Sequence, residues 1–156
     1  MKSPGYAAII VALGLLGGAA AAAESVLSVV SRAQLLGNWA ASCSTGASPS
    51  NWIVTWYAGG NGTVRRRSLR GPGLPPLDGA IDSAEMLSPT LIRTRMRNDD
   101  PNWGNFNGRV YDVLLDMSGG NMRTISSVAG DGEAIIRDGK LVSNGNPSVV
   151  AQRCAK

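Results

Sequence analysis

The chain has 156 residues, of which 44% are apolar and only 17% charged, with a formal net charge of +4; single domains usually hold roughly 100–200 residues. It contains no histidine, which excludes Ser-His and Cys-His nucleophile pairs and every metal site built on imidazole. Two cysteines are too few to hold zinc or an iron–sulfur cluster by themselves.

The chain opens with Lys2, an apolar run from Ala7 to Leu16, and small residues from Gly17 to Ala23 ahead of Glu24. A positive start, an apolar stretch and a small-residue end predict that residues 1–23 are a cleaved secretory signal peptide. The run is too short and too rich in alanine and glycine for a good membrane anchor. The protein is therefore expected to be periplasmic or secreted, touching the membrane only during export. Cleavage removes Lys2 and no acid, leaving a mildly basic domain that permits an anionic partner without demanding one. Nucleic acid is not expected as that partner, given the compartment and the small charge.

Residues 24–36 predict a short helix, with Val26, Val29, Val30, Ala33 and Leu36 at helical spacing and Gly37 as the stop. From there the period changes to two. Residues 38–43, 52–57, 63–70, 80–86, 90–97, 109–117, 121–128, 133–137, 140–143 and 148–154 read as short strands, separated by Gly/Pro/Asn turns. Asp138-Gly139 is a strong two-residue hairpin signal. Short strands at close spacing predict an all-β sandwich or barrel. Cys43 and Cys154 lie at opposite ends of the domain, and an oxidising compartment favours their pairing. A disulfide between the first strand and the last selects a single antiparallel barrel of about eight strands over residues 37–156.

Arg93, Arg95 and Arg97 share one strand face, and Asp112 and Asp116 share a face of the next strand. Pairing Arg97 with Asp112, Arg93 with Asp116 and Met96 with Val113 satisfies both faces and predicts an exterior salt-bridged surface. In Arg65-Arg66-Arg67 with Arg70, Arg66 and Arg70 alternate with Arg65 and Arg67. Either this is an edge strand protected by charge, or it offers guanidinium groups to an anionic ligand or partner. Residues 98–105 are rich in oxygen donors, but they lack the alternation and closing glutamate of a calcium loop, so no metal is assigned. No nucleophile has an evident base beside it, so no enzyme activity and no cofactor are expected.

Leu36-Gly37-Asn38-Trp39, opening the first strand after a short helix, resembles the Gly-x-Trp signature of lipocalins and related barrels. That resemblance implies that Gly37 and Trp39 are structural, with Trp39 plugging one end of the barrel. It also implies an arginine from a late strand laid across the tryptophan. Strand parity counted from the two cysteines puts Arg153 on the wrong face for this, with Arg137 as a second candidate. The C-terminal half, with Tyr111-Asp112, Met122-Arg123, Ile136-Arg137-Asp138-Gly139-Lys140 and Arg153-Cys154, is similar to small exported proteins of alphaproteobacteria. Leu35-Leu36-Gly37-Asn38-Trp39 also resembles periplasmic inhibitor barrels directed at proteases or lysozyme. In the protease inhibitors among them the segment corresponding to Glu24–Arg32 enters the target's cleft.

Two functions follow as expectations. The first is a non-enzymatic binding protein that holds a small apolar or amphipathic molecule, with Trp52, Trp56, Arg66 and Tyr111 as candidate contacts. The second is a protein-binding inhibitor or envelope interaction module that presents residues 24–32, the arginine row or Arg65–Arg67 to an acidic partner.

Overall fold

A computed structural model describes residues 24–155, so the signal-peptide reading of residues 1–23 lies outside the described residues. Helix α1 (Val26–Arg32) begins at Ser25, whose hydroxyl accepts the Ser28 backbone N–H at 3.2 Å. It stops at Arg32, short of the expected Leu36. The reason is a Schellman closure: Gln34 takes φ 56°, its N–H bonds Ser31 O, and Leu35 N–H reaches Val30 O at 3.0 Å. That turn aims Leu35 into the core, where it is fully buried with Val29 and Val30.

All ten expected strands form. They are β1 (Gly37–Ala40), β2 (Ile53–Ala58), β3 (Val64–Leu69), β4 (Leu77–Met86), β5 (Leu91–Asn98), β6 (Val110–Asp116), β7 (Asn121–Ala129), β8 (Ala134–Arg137), β9 (Lys140–Leu141) and β10 (Val150–Cys154). Strands β1 to β7 follow one another as antiparallel neighbours, and β10 pairs with both β1 and β7. Eight strands therefore close a barrel, and β8 and β9 lie outside the ring. Strand β7 makes this possible by dividing its length. Asn121–Arg123 pairs with β10, whereas Ser127 and Val128 pair with β8. The β8–β9 hairpin turns on Asp138 (φ 50°) and Gly139 (φ 69°), the left-handed pair that a two-residue hairpin needs.

The Cys43–Cys154 disulfide is present, with the Cα atoms 5.3 Å apart and 111 positions apart in sequence. Closing so long a loop stabilises a fold by about 4–5 kcal/mol in the chain-entropy account.

Two expectations about strands are corrected. Strands β5 and β6 pair antiparallel, but two residues out of the expected register. Arg95 faces Asp112, Arg97 faces Val110, and Met96 faces Tyr111. A shift of two preserves parity, so the arginines still lie outside. They also find acids on β4: Arg97 bonds Asp82 at 2.9 Å and Arg93 meets Glu85 at 3.6 Å. Strand β3 is no edge, because β2 and β4 flank it. One face of its arginine run must therefore point into the barrel.

Candidate functional site

The two ends of the barrel differ in loop length. At one end the turns 59–63, 87–90 and 117–120 are short, and α1 packs against the core. The other end carries the long segments 41–52, 70–76, 99–109 and 130–149. Below this loop-rich mouth lies a cavity of about 590 Å³, within the range of roughly 300–1,000 Å³ typical of small-molecule sites.

Its depth can be read strand by strand. On β2 and the residue before it, Trp52 and Val54 line the cavity and Trp56 does not. On β3, Ser68 and Arg66 line it and Val64 does not; on β5, Asn98 and Met96 do and Thr94 does not. Tyr111 and Val113 of β6 line it, but Leu115 is core. Arg66 and Met96 thus belong to the floor, and below them lie Val64, Ile92 and Leu115 of the buried core.

Of the four candidate contacts, Trp52, Arg66 and Tyr111 line this cavity together. Trp52 stands at the mouth and is 42% exposed. Trp56 does not line it: it shares their face and pairs directly with Arg66 across β2 and β3, but is 3% exposed within the core. Parity assigned the face correctly, but the depth at which packing closes the barrel depends on facing side chains.

Several lining residues escaped the sequence reading. Trp103 and Phe106 sit in the Asn/Asp-rich segment, on a 3₁₀ turn spanning Pro101–Phe106. The Trp103 indole N–H donates to Asp78 O at 2.6 Å, which pins this segment over the mouth. Ile135, Ile136 and Leu141 come from the β8–β9 hairpin, which extends the wall beyond the ring. Large apolar residues inside an otherwise polar turn were the available signal.

The arginine run divides as alternation requires. Arg65 makes a bidentate pair with Asp99 at 2.7 and 3.0 Å, and Arg67 binds Asp78 at 2.9 Å, both on the exterior. Arg66 points inward. Its register partners are Trp56 on β2 and Gly79 on β4, and the absence of a side chain at Gly79 leaves room beside it. A Cβ at Gly79 would also sit 2.9 Å from Arg97 O, so backbone approach alone requires glycine there. The hydrogen bond recorded for Arg66 goes to Met96 Sδ at 3.7 Å, and no carboxylate pairs with it among the described residues. Burial pushes its guanidinium down to about 10, with Tyr111 opposing the shift, so it remains cationic at neutral pH. Among the described residues it is the one charged residue lining the cavity.

Above it, Arg109 bonds Glu133 at 2.6 Å and Asp131 at 2.7 Å and lies over the Phe106 and Tyr111 rings. These carboxylates raise the Arg109 guanidinium well above its ordinary value. Asp99 is committed to Arg65, and Asp100 accepts the Asn102 backbone N–H at 2.7 Å. Among the described residues no group of three potential metal ligands converges.

At the closed end Trp39 is 2% exposed and donates its indole N–H to Leu35 O at 2.8 Å. Arg153 is its direct register partner on β10, which corrects the parity expectation. Strand β1 ends at Ala40, so parity cannot be carried through the following loop to Cys43. Arg153 donates to Leu36 O at 2.7 Å and lies 3.3 Å from where a Cβ on Gly37 (φ +130°) would stand. Gly37 thus serves both the backbone turn and the close approach of the guanidinium. Arg137, the second candidate, ends β8 far along the chain from this contact.

No family model matches the chain, and neither a curated protein nor a solved structure matches it. Among the described residues no helix is long and apolar enough to cross a membrane.

Proposed function

We propose that the protein is a non-enzymatic, exported binding protein that holds a small apolar or amphipathic molecule inside a lipocalin-like barrel. The observation that carries this reading is the cavity of about 590 Å³, open at the loop-rich end and walled largely by apolar side chains. A barrel of eight strands can be filled completely by its own side chains, and here the loop-rich half is not. Trp39 under Arg153, after a short helix, supports the lipocalin likeness. The disulfide supports an oxidising compartment. Among the described residues no carboxylate, cysteine or histidine lines the cavity, so its walls favour holding a molecule over transforming it.

The alternative, a protein-binding inhibitor, draws less support. Segment 24–32 is docked on the barrel through Val29 and Val30 rather than projecting, and Arg65 and Arg67 are already paired. Titration of the mature protein with the neutral dye N-phenyl-1-naphthylamine tests the proposal. Saturable dye emission with quenching of tryptophan fluorescence is the expected result. No binding, together with specific capture of a periplasmic protein, would replace this reading with the alternative.

A further inference from the structure

Resting on the binding-protein reading, the floor of the cavity identifies the class of ligand. A cation within an apolar cavity is costly unless an anion or a full set of hydrogen-bond acceptors meets it. The neighbours of Arg66 on its own strand, Arg65 and Arg67, each have a carboxylate, and Arg66 has none among the described residues. The groups around the floor are also unpartnered. Trp56 Nε1, Ser68 Oγ and Thr94 Oγ1 are buried with no hydrogen-bond partner, and Ser68 and Thr94 are fully buried. Trp56 is the register partner of Arg66, Ser68 lies two residues along the same face, and Thr94 lies two residues before Met96. Buried polar groups normally find partners. Here one indole N–H and two hydroxyls lack them in the layers at and next to Arg66, whose own guanidinium has a thioether sulfur as its acceptor.

Above this level the walls are largely apolar, with Val54, Ile136, Phe106 and Trp52 leading to the mouth. We propose that the cavity takes an amphiphile with an anionic oxygen head group, held by Arg66 at the floor, with its apolar tail filling the space up to the mouth. Carboxylate, sulfonate and phosphate heads share the chemistry that a guanidinium recognises.

Two dyes of one skeleton test this directly at pH 7. 8-Anilinonaphthalene-1-sulfonate is N-phenyl-1-naphthylamine with a sulfonate added. The wild type should bind the sulfonate on the order of tenfold or more tighter than the neutral dye, the scale of one charge-assisted hydrogen bond. Arg66→Met should abolish that preference while keeping affinity for the neutral dye, and Arg66→Lys should restore part of it. Arg67→Gln, which removes an exterior cation, should leave it unchanged. Decanoate and decyl phosphate should displace the sulfonate dye from the wild type and separate the two natural head-group chemistries. Equal affinity for both dyes in the wild type, or a preference that survives Arg66→Met, would overturn the anionic assignment alone. Binding of neither dye would overturn the cavity reading and this inference with it.

Discussion

The closed end and the mouth of this barrel are built from the same eight strands but meet opposite demands. At the closed end, the polar groups of the plug are satisfied locally: Trp39 Nε1 finds Leu35 O and Arg153 finds Leu36 O. Short turns and a docked helix leave Val30, Leu35 and Ile92 without exposure. At the mouth, Phe106 is 51% exposed and Val149 62%, and Arg66 at the cavity floor has no acid among the described residues. One end contributes stability, and the other withholds it in favour of a space that can be occupied.

The largest effect expected from this contrast is at the closed end. Trp39→Ala removes the most voluminous fully buried side chain and should cost about 3–5 kcal/mol, read as a fall in the urea midpoint. A loss below ~1 kcal/mol would mean that the helix and turns do not depend on that plug.

Next comes Arg66→Met, which should work in the opposite direction. Burial holds the folded-state value of Arg66 below its ordinary one. Between those values the unfolded chain binds the proton and the folded chain does not, so this group's contribution to stability rises with pH there. At pH 7, below both, its burial counts fully against folding. Replacing it with methionine should therefore leave the ligand-free protein as stable or more stable, by about 1 kcal/mol. Marked destabilisation by urea denaturation would show that Arg66 is a structural tie instead.

Much of this contrast was legible beforehand, but unevenly. Ten strands, the hairpin at Asp138-Gly139 and the disulfide follow from alternation, turn chemistry and cysteine placement, all of which are local or binary signals. The β5–β6 register needed distances along two strands, and charge matching alone accepted a solution two residues away because Asp82 and Glu85 of β4 also serve those arginines. Parity failed between Trp39 and Cys43 because a loop intervenes after Ala40. Alternation split the arginine run into Arg66 with Arg70 and Arg65 with Arg67 but left open which pair, if either, turns inward, because that depends on β4 covering β3. Trp103, Phe106 and Ile136 did not, since their roles arise only when the 99–109 segment and the β8–β9 hairpin fold against the mouth.

Smaller effects belong to the rim. Phe106→Ser removes a half-exposed ring beneath Arg109 and should cost only about 0.5 kcal/mol, while weakening dye binding at the mouth. A stability loss as large as that of Trp39→Ala would erase the distinction between the two ends.

The smallest effect is a titration. The Glu133 backbone N–H and then Arg109 hold the Asp131 carboxyl below the usual carboxylate range. Its contribution is present above the ordinary value and lost as pH falls through the depressed one. The Asp131 carboxyl carbon, followed by NMR, should titrate at lower pH than an unperturbed aspartate. Arg109→Gln should return it toward the ordinary value.

The most direct test of the account is methyl NMR of the wild-type protein titrated with decanoate. Resonances of Val54, Val113, Ile135, Ile136 and Leu141, which line the cavity, should shift in a saturable way, while those of Val30, Leu35 and Ile92 in the closed half stay in place. Shifts confined to the closed half, or absent from the cavity methyls at saturating decanoate, would contradict it.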